Sequence, residues 1–291
     1  MHGPCLYPGG EAAADRHVAV EYASDDEWAR HLVPFVRDGL VGGEQVQYYA
    51  DATDPDVVTR TLADRGVDVD SALRRGQLVV ATAEETYLSG AGFDPDVTIR
   101  FWREAVSEAA ARGFTGVRTV GEMSWTARDV AGAERMLEYE LRMHYEVVER
   151  LPARSWCFYD RRLLSQEDLE VLAAAHLTRS SADAAPGGRP GLSVTPLSGP
   201  PGFRLAGSAG YESRHVIAST AAALAASPAR RPTLDLSLLD HLDIAALADL
   251  ADAARRRSCG TPVRMLGAPP ALHRLLELFP ELGEGLEVAD R

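Results

Sequence analysis

The sequence lacks the features that mark several common classes of protein. Its three cysteines, Cys5, Cys157 and Cys259, are far apart and show neither the spacing of a zinc site nor the density of a disulfide framework. No run of about 18 apolar residues could span a membrane, and no basic segment followed by an apolar stretch indicates a secretory signal. We therefore expect a cytoplasmic protein with no membrane association.

Positive charge is also scarce. The 291 residues include 30 Lys and Arg against 43 Asp and Glu, which gives a formal net charge of −13. Such a chain repels nucleic acid and anionic membrane surfaces at long range. We therefore expect small molecules or proteins as partners and no nucleic acid.

Motifs of catalysis and cofactor binding are missing as well. The sequence has no Gly-x-x-x-x-Gly-Lys-Ser/Thr phosphate loop, no Gly-x-Ser-x-Gly elbow and no His-Glu-x-x-His motif. The histidines do not fall at ligand spacings. We predict no catalytic residue, no metal site and no cofactor, and hence a protein that is not an enzyme.

What the sequence does contain is a regular alternation of apolar strands and amphipathic helices. Strands are predicted at His17–Tyr22, Gln45–Ala50, Gln77–Ala83, Gly116–Trp125 and Ser155–Leu164, with helices between them. Parallel strands need such crossover helices, so the fold is predicted to be α/β with a mostly parallel sheet. The stretch 178–191, rich in Ser, Ala, Pro and Gly, is predicted to be a linker between domains at 16–177 and 192–291.

Polar side chains follow two of the predicted strands. Arg118, Glu122 and Trp125 lie on or after one strand, and Tyr159, Asp160 and Arg161 end the next. Because ligands of open α/β sheets bind outside the carboxyl ends of the strands, these residues could line one pocket. The alternative is that they are solvated charges at strand ends.

The second half resembles the STAS domain, the fold of bacterial anti-sigma-factor antagonists. The stretch LDLSLLDHLDIAALADLADAARRRSCGTPVRMLGAPPALHRLLEL follows that family's order of strands, helices and acidic residues. The resemblance implies a docking surface for an anti-sigma factor or related regulator at Asp240, His241, Asp243, Ile244 and Leu247. We expect Asp240 to cap the helix and Asp243 to add charge at its start.

A phosphorylated hydroxyl residue follows the motif's aspartate in that family, but Ile244 stands there in this sequence. Phosphate at a helix start inside an interface would expel a partner by its charge. We therefore predict that docking is not switched by phosphorylation.

The first half resembles the MEDS domain, a sensory module related to the KaiC and RecA ATPase fold but without its phosphate loop. The resemblance rests on HVAVEY, VPFVRDGLVGGEQVQYYAD, the stretch Phe93–Trp125, GAERMLEYELRMH and CFYDRRLL. Members often open with His-x-Cys-x-x-Tyr; His17 and Tyr22 match, while Ala19 replaces the cysteine. The resemblance implies binding of a small-molecule signal, and such tandem chains are typical of actinobacteria.

These observations lead to the hypothesis of a cytosolic signalling protein in transcription regulation. Its first domain would sense a small molecule, and its second would dock a protein partner. Dimerisation is an alternative way to couple the two domains. The competing hypotheses are a degenerate nucleotide-binding ATPase, with Glu122 orienting water, and a scaffold that no longer senses.

Overall fold

A computed structural model describes residues 15–181, 191–258 and 261–289 of the chain. The described residues form two compact units. Unit 1 contains 15–133, 147–169 and 178–181, and unit 2 contains 134–146, 170–177 and the described residues from 191 onward. Cys5, Cys259 and most of the predicted linker, 182–190, lie outside the described residues.

Unit 1 is built on a six-stranded sheet in the order β3-β2-β4-β5-β1-β6. Its strands are β1 (His17–Tyr22), β2 (Gln45–Ala50), β3 (Leu78–Thr82), β4 (Val117–Glu122), β5 (Ala153–Asp160) and β6 (Thr178–Ser181). Every pairing between neighbouring strands is parallel. The predicted α/β class is confirmed, and all carboxyl ends lie along one edge of the sheet.

The helices of unit 1 begin where the sequence supplies a capping side chain. They are α1 (Asp25–Val41), α2 (Pro55–Asp64), α3 (Val69–Arg74) and α4 (Pro95–Ala111). Ser24, Asp54, Asp68 and Asp94 each accept a first-turn backbone N–H. Helix α1 buries Trp28, Leu32 and Phe35 in a core shared with β1, β2 and β5, which fixes it against the sheet.

Three differences separate the structure from the sequence prediction. Two predicted strands are too long: β4 ends at Glu122 and is followed by a 3₁₀ turn at Ser124–Ala127, and β5 ends at Asp160 rather than Leu164. The helix predicted between these two strands is α5 (Met136–Met143), which lies between a 3₁₀ turn and a π-helix.

The third difference concerns the predicted linker, whose first four residues form β6 beside β1. The polar sequence TRSS suits an edge strand, but it has no apolar alternation that would reveal one.

Unit 2 contains a five-stranded sheet in the order β11-β10-β9-β8-β7. Its strands are β7 (Leu192–Pro196), β8 (Gly202–Ala209), β9 (Thr233–Leu242), β10 (Val263–Leu266) and β11 (Leu286–Ala289). Strands β7 and β8 are antiparallel, and the other neighbours are parallel. The helices predicted here are α7 (Arg214–Ala226), α8 (Ile244–Arg256) and α9 (Pro270–Leu278), and α6 (Gln166–Ala174) precedes them in the chain.

Helix α5, which precedes the linker in sequence, belongs to unit 2 and packs against α7. Just beyond it, the hydroxyl of Tyr145 donates to the carbonyl oxygens of Leu197 and Gly202, and it accepts the N–H of Leu197 at 2.8 Å. The Tyr145 ring also meets Phe203 edge to face, with centroids 5.6 Å apart. These contacts make the segment 134–146 part of the core of unit 2.

The expected cap of α8 is wrong. Strand β9 continues past Asp240 because His241 and Leu242 still pair with β8. The helix therefore begins later, and Asp243 caps it by accepting the N–H of Ala246 at 2.7 Å. Among the described residues, no helix is both long and apolar enough to cross a membrane.

Candidate functional site

Glu122, at the carboxyl end of β4, is a buried acid that accepts three hydrogen bonds. Its side chain is fully buried, and Oε1 accepts the hydroxyl of Tyr48. Oε2 accepts the backbone N–H groups of Asp51 at 2.8 Å and Thr53 at 3.0 Å. Trp28 Nε1 donates to the Tyr48 hydroxyl at 2.9 Å. Glu122 thus fastens the loop after β2 to the end of β4, and both carboxylate oxygens are engaged by the protein.

The ends of β1 and β5 lie beside this acid. Tyr22 and Asp160 are paired in register, and Arg162 bonds Asp160 through Nε and Nη2 while its guanidinium lies over the Tyr22 ring. Burial, with the charges of Glu122 and Asp160, raises the pKa of Tyr22 far above its ordinary value. The Tyr22 hydroxyl therefore stays neutral among these acids. Three residues that the sequence analysis named, Tyr22, Glu122 and Asp160, meet at this edge of the sheet.

Next to Glu122 is a cleft of about 380 Å³ lined by Asp51, Ala52, Ser124, Ala127, Arg128 and Leu163. Ser124 Oγ donates to Asp51 Oδ2 at 2.8 Å, and Arg128 bonds both Asp51 and Glu84. Burial raises the pKa of Asp51, although Ser124 and Arg128 oppose that rise. The lining combines charged and hydroxyl groups with apolar side chains, as small-molecule sites commonly do.

The sequence did not single out Asp51 or Ser124. Asp51 directly follows β2, the strand that pairs with β4, so its place after an apolar strand was the available signal. Because the pairing order of strands cannot be read from the chain, nothing linked Asp51 to Ser124.

Arg118 does not join this site. It is the second residue of β4 and lies toward the amino end, about 13 Å along the strand from Glu122 at roughly 3.3 Å per residue. There it pairs with Glu44, donates to the carbonyl of Phe35 at 3.2 Å, and stacks over the Phe35 ring. These contacts give Arg118 a structural role at the opposite edge.

The remaining predicted ligand residues are placed apart from the cleft. Trp125 is 1 % exposed and packs on Tyr87 and Phe93, and Tyr159 is fully buried. Arg161 lies 3.9 Å from Glu27 in an ion pair. Of the two aromatic residues, neither offers a surface to a ligand.

His17 opens β1 at the amino edge, far from Tyr22 at its other end. His17 Nε2 is 3.8 Å from Cys157 Sγ, and both residues are fully buried. Cys157 is the register partner of Ala19. Position 19 carries no cysteine, but the neighbouring strand places a thiol next to it.

The start of α1 is unsuited to a nucleotide phosphate. Only Ala23 and Ser24 separate β1 from α1, and the first turn carries Asp25, Asp26 and Glu27. Glu27 also accepts the N–H of Ala23 at 2.7 Å. A helix start binds phosphate through unoccupied N–H groups and positive potential. Here Ser24 accepts the N–H of Glu27, and the three acids of the first turn offset the positive potential.

In unit 2, the surface around the start of α8 is largely apolar. Asp240 and His241 are exposed, Ile244 is 44 % exposed, and Leu247 is fully buried in the core. Leu247 therefore cannot contact a partner directly, and it supports the surface from below. A groove of about 450 Å³ runs beside Ile244 and is lined by Leu242, Asp243, Ile244, Ala271, Arg274, Leu275 and Leu278.

The two units, one with a wholly parallel sheet and one with a mixed sheet, define a tandem α/β protein. Residues 16–177 match the family model described as MEDS, the methanogen/methylotroph, DcmR sensory domain, and the chain belongs to this family. Residues 197–280 match a second model, described as Mlab, STAS domain. Both resemblances inferred from the sequence are confirmed.

Similarity to individual proteins is lower. The chain is 24% identical over 170 residues to the transcriptional repressor DcmR of Methylorubrum extorquens, which covers 58% of this chain and 60% of the repressor. A KaiC-like protein from Pyrococcus horikoshii OT3 matches 64% of this chain and 74% of its own, with 13% identity and a TM-score of 0.41.

A DUF1998 helicase, MrfA, bound to DNA and AMPPNP matches 97% of this chain and 39% of its own, at 10% identity and a TM-score of 0.35. The chain spans about three fifths of the length of the DcmR repressor. The two matched families, together with the repressor relative, support a regulatory signalling role.

Proposed function

We propose that this protein is a signalling regulator whose MEDS domain binds a small-molecule signal and whose STAS domain docks a protein partner, an anti-sigma factor or related regulator, without phosphorylation. The observation that carries the proposal is the exposed Ile244 directly after the helix cap Asp243. Strand β9, the acidic cap and helix α8 follow the order that the resemblance implies, and an apolar side chain stands where the family carries the phosphoacceptor hydroxyl.

The proposal treats the protein as a binding protein and not as an enzyme. Glu122, the acid that an ATPase mechanism would require to orient water, has both oxygens engaged by Tyr48, Asp51 and Thr53. The start of α1 carries acids where a phosphate would need positive potential. These two arrangements support ligand sensing over nucleotide hydrolysis.

Sensing is assigned to the cleft beside Asp51. A ligand that binds the folded protein raises its melting temperature in proportion to RT ln(1 + [L]/Kd), so a thermal-shift panel of metabolites and nucleotides detects it. Leu163 is 49 % exposed and lines the cleft, so a larger side chain at this position would fill the cleft. Leu163→Arg should therefore abolish the ligand-induced rise in melting temperature. The matched control is Val41→Arg, at an 84 % exposed position of the same unit.

Two results would count against sensing at this cleft. A shift that survives Leu163→Arg would place the ligand elsewhere. A panel without any stabilising ligand would favour the non-sensing scaffold.

Docking is tested with the full-length chain as bait. Copurification followed by mass spectrometry identifies bound proteins, and Ile244→Glu should remove the specific partner without unfolding the protein. Leu238→Glu is the control, because Leu238 is 57 % exposed on β9 but does not line the groove. Partner capture by Ile244→Glu at the wild-type level would refute this docking surface.

A further inference from the structure

The apolar groove of unit 2 has a regular composition. Helix α9 contributes Ala271, Arg274, Leu275 and Leu278, which follow the i, i+3, i+4, i+7 spacing of one helix face. Only Leu272 of α9 is buried, whereas Leu278 is 64 % exposed. Helix α9 thus buries Leu272, while the face along the groove stays half-buried at Leu275 and exposed at Leu278.

Arg274 is the cation of this groove. It forms no hydrogen bond or ion pair with the residues that the structure describes. The acid that lines the groove, Asp243, is engaged by the N–H of Ala246 as the helix cap. The groove therefore offers one guanidinium that forms no ion pair with the described residues, in a lining that is apolar except for the capping Asp243.

The groove offers side chains of two helices for recognition. Its lining is contributed by the start of α8 and by one face of α9, and it is largely apolar. Strand β9, which leads into it, pairs with β8 as far as Leu242, while β10 pairs only with its first residues, Thr233 to Asp235. An amphipathic helix that inserts apolar side chains is a common mode of peptide recognition at an apolar groove between helices.

From this geometry we infer that the groove binds an amphipathic helix of a protein partner, which presents apolar side chains at helical spacing and one carboxylate to Arg274. This inference rests on the proposed docking function and specifies the chemistry of the partner. A second copy of the chain fits less well, because a net charge of −13 on each copy opposes self-association. An acidic side chain within an apolar row matches the groove in both shape and charge.

The inference is tested with a display library of amphipathic helices of about 16 residues, in which the apolar face and one flanking position are randomised. The full-length chain is the target, and Ile244→Glu is used for counterselection. We expect enriched helices to carry Leu, Ile or Val at i, i+3 or i+4 and i+7, with Asp or Glu at the flanking position.

Charge reversal provides the decisive comparison. Arg274→Glu should invert the selection, so that Lys or Arg replaces the acid. It should also weaken binding of helices enriched on the wild type by roughly three- to tenfold, as expected for an ion pair at the rim of an interface. Arg264→Glu, on β10 and outside the groove lining, is the matched control and should leave both unchanged.

The outcomes separate this inference from the proposed function. Helices that depend on Ile244 but show no preference for an acid would leave docking intact and overturn the inference. No enrichment over Ile244→Glu would also overturn it, while partner capture in copurification tests docking independently. A dimer in sedimentation velocity that Ile244→Glu dissociates would make a second copy the occupant, and this result too would overturn the inference.

Discussion

The two units each place an acidic residue where a parallel strand ends, but the two acids act differently. Glu122 in unit 1 is fully buried and accepts three hydrogen bonds from the neighbouring strand and its loop. Asp243 in unit 2 is partly exposed and caps the helix that follows its own strand. Glu122 holds the loop after β2 against the end of β4, whereas the apolar groove beside Asp243 remains exposed.

Removal of the buried acid is expected to have the largest effect. Glu122→Gln should lower the free energy of unfolding of unit 1 by about 3 kcal/mol. The amide oxygen can still accept the N–H groups of Asp51 and Thr53, but without the charge, and the amide nitrogen then faces the Tyr48 hydroxyl, which loses its buried acceptor. All four tryptophans, Trp28, Trp102, Trp125 and Trp156, lie in unit 1, so urea denaturation followed by tryptophan fluorescence reports on this unit. Glu84→Gln, at an acid whose side chain is 69% exposed, is the control.

If Glu122→Gln lowers the free energy of unfolding no more than Glu84→Gln does, Glu122 does not hold the loop after β2 in place.

Removal of the Tyr145 hydroxyl in unit 2 should have the second-largest effect on stability. Tyr145→Phe removes the buried hydroxyl that bonds Leu197 and Gly202, while the N–H of Leu197 keeps its bond to the carbonyl of Gly202 at 3.0 Å. The loss should cost about 1 to 2 kcal/mol. Faster hydrogen exchange in the peptides that cover β7 and β8 would show the loss. Tyr211→Phe changes a residue that is 77% exposed in the same unit and should have no effect. Equal exchange in the two variants would mean that the Tyr145 hydroxyl contributes nothing.

The cap of α8 should contribute less than either. Asp243→Ala removes the acceptor for Ala246 N–H and should destabilise the helix by about 1 kcal/mol, whereas Asp243→Asn retains most of the cap. Hydrogen exchange across α8 is the measurement. The exposed Asp240 provides the comparison that corrects the sequence expectation: Asp240→Ala should leave α8 unchanged. The reverse ranking of these variants would restore Asp240 as the cap.

The smallest expected effect is on the pH dependence of stability, to which one aspartate in each unit contributes with opposite sign. Burial raises the pKa of Asp51 in unit 1, so its contribution to stability increases as pH falls through its folded pKa. Burial acts the same way on Asp235 in unit 2, but hydrogen bonds from Ser237 and Arg204 hold its pKa below the usual value. The stability that Asp235 contributes is present above its unfolded pKa, near 3.9, and is lost as pH falls through its lower folded pKa.

Asp51→Asn and Asp235→Asn should therefore change the acid limb of the stability curve in opposite directions. Chemical denaturation between about pH 3 and 7 measures both, with tryptophan fluorescence for unit 1 and hydrogen exchange for unit 2. Changes of the same sign would show that one of the two pKa directions is misassigned.

Local signals in the sequence predicted most of the fold. The apolar runs at β1 and β2 gave their bounds, because a fully buried strand has a distinctive composition. Strand β6 was missed, since an edge strand with the sequence TRSS carries no apolar pattern. The cap at Asp243 was missed because pairing of β9 with β8, a long-range contact, sets where the strand ends.

The candidate sites were predictable to a smaller extent. The rule that carboxyl ends of parallel strands share an edge led us to expect Glu122 and Asp160 at one edge, and β4 and β5 end there side by side. Tyr22 entered the prediction through the family resemblance instead. Arg118 was grouped with Glu122 by closeness in sequence, but a strand separates residues by distance along its axis. The groove residues of α9 were not recognised, because an amphipathic helix does not show which of its apolar rows the protein covers.

The position of Tyr145 determines how the chain can be divided experimentally. A fragment that starts at Leu192 omits α5 and the tyrosine that holds the β7–β8 connection, and it uncovers the side of α7 on which α5 packs. A fragment that ends at Leu177 retains α5 without α7. Chimaeras joined at the linker would therefore inherit an incomplete core on each side of the junction. Family boundaries and folding boundaries are different divisions of this polypeptide, and grafting experiments should follow the latter.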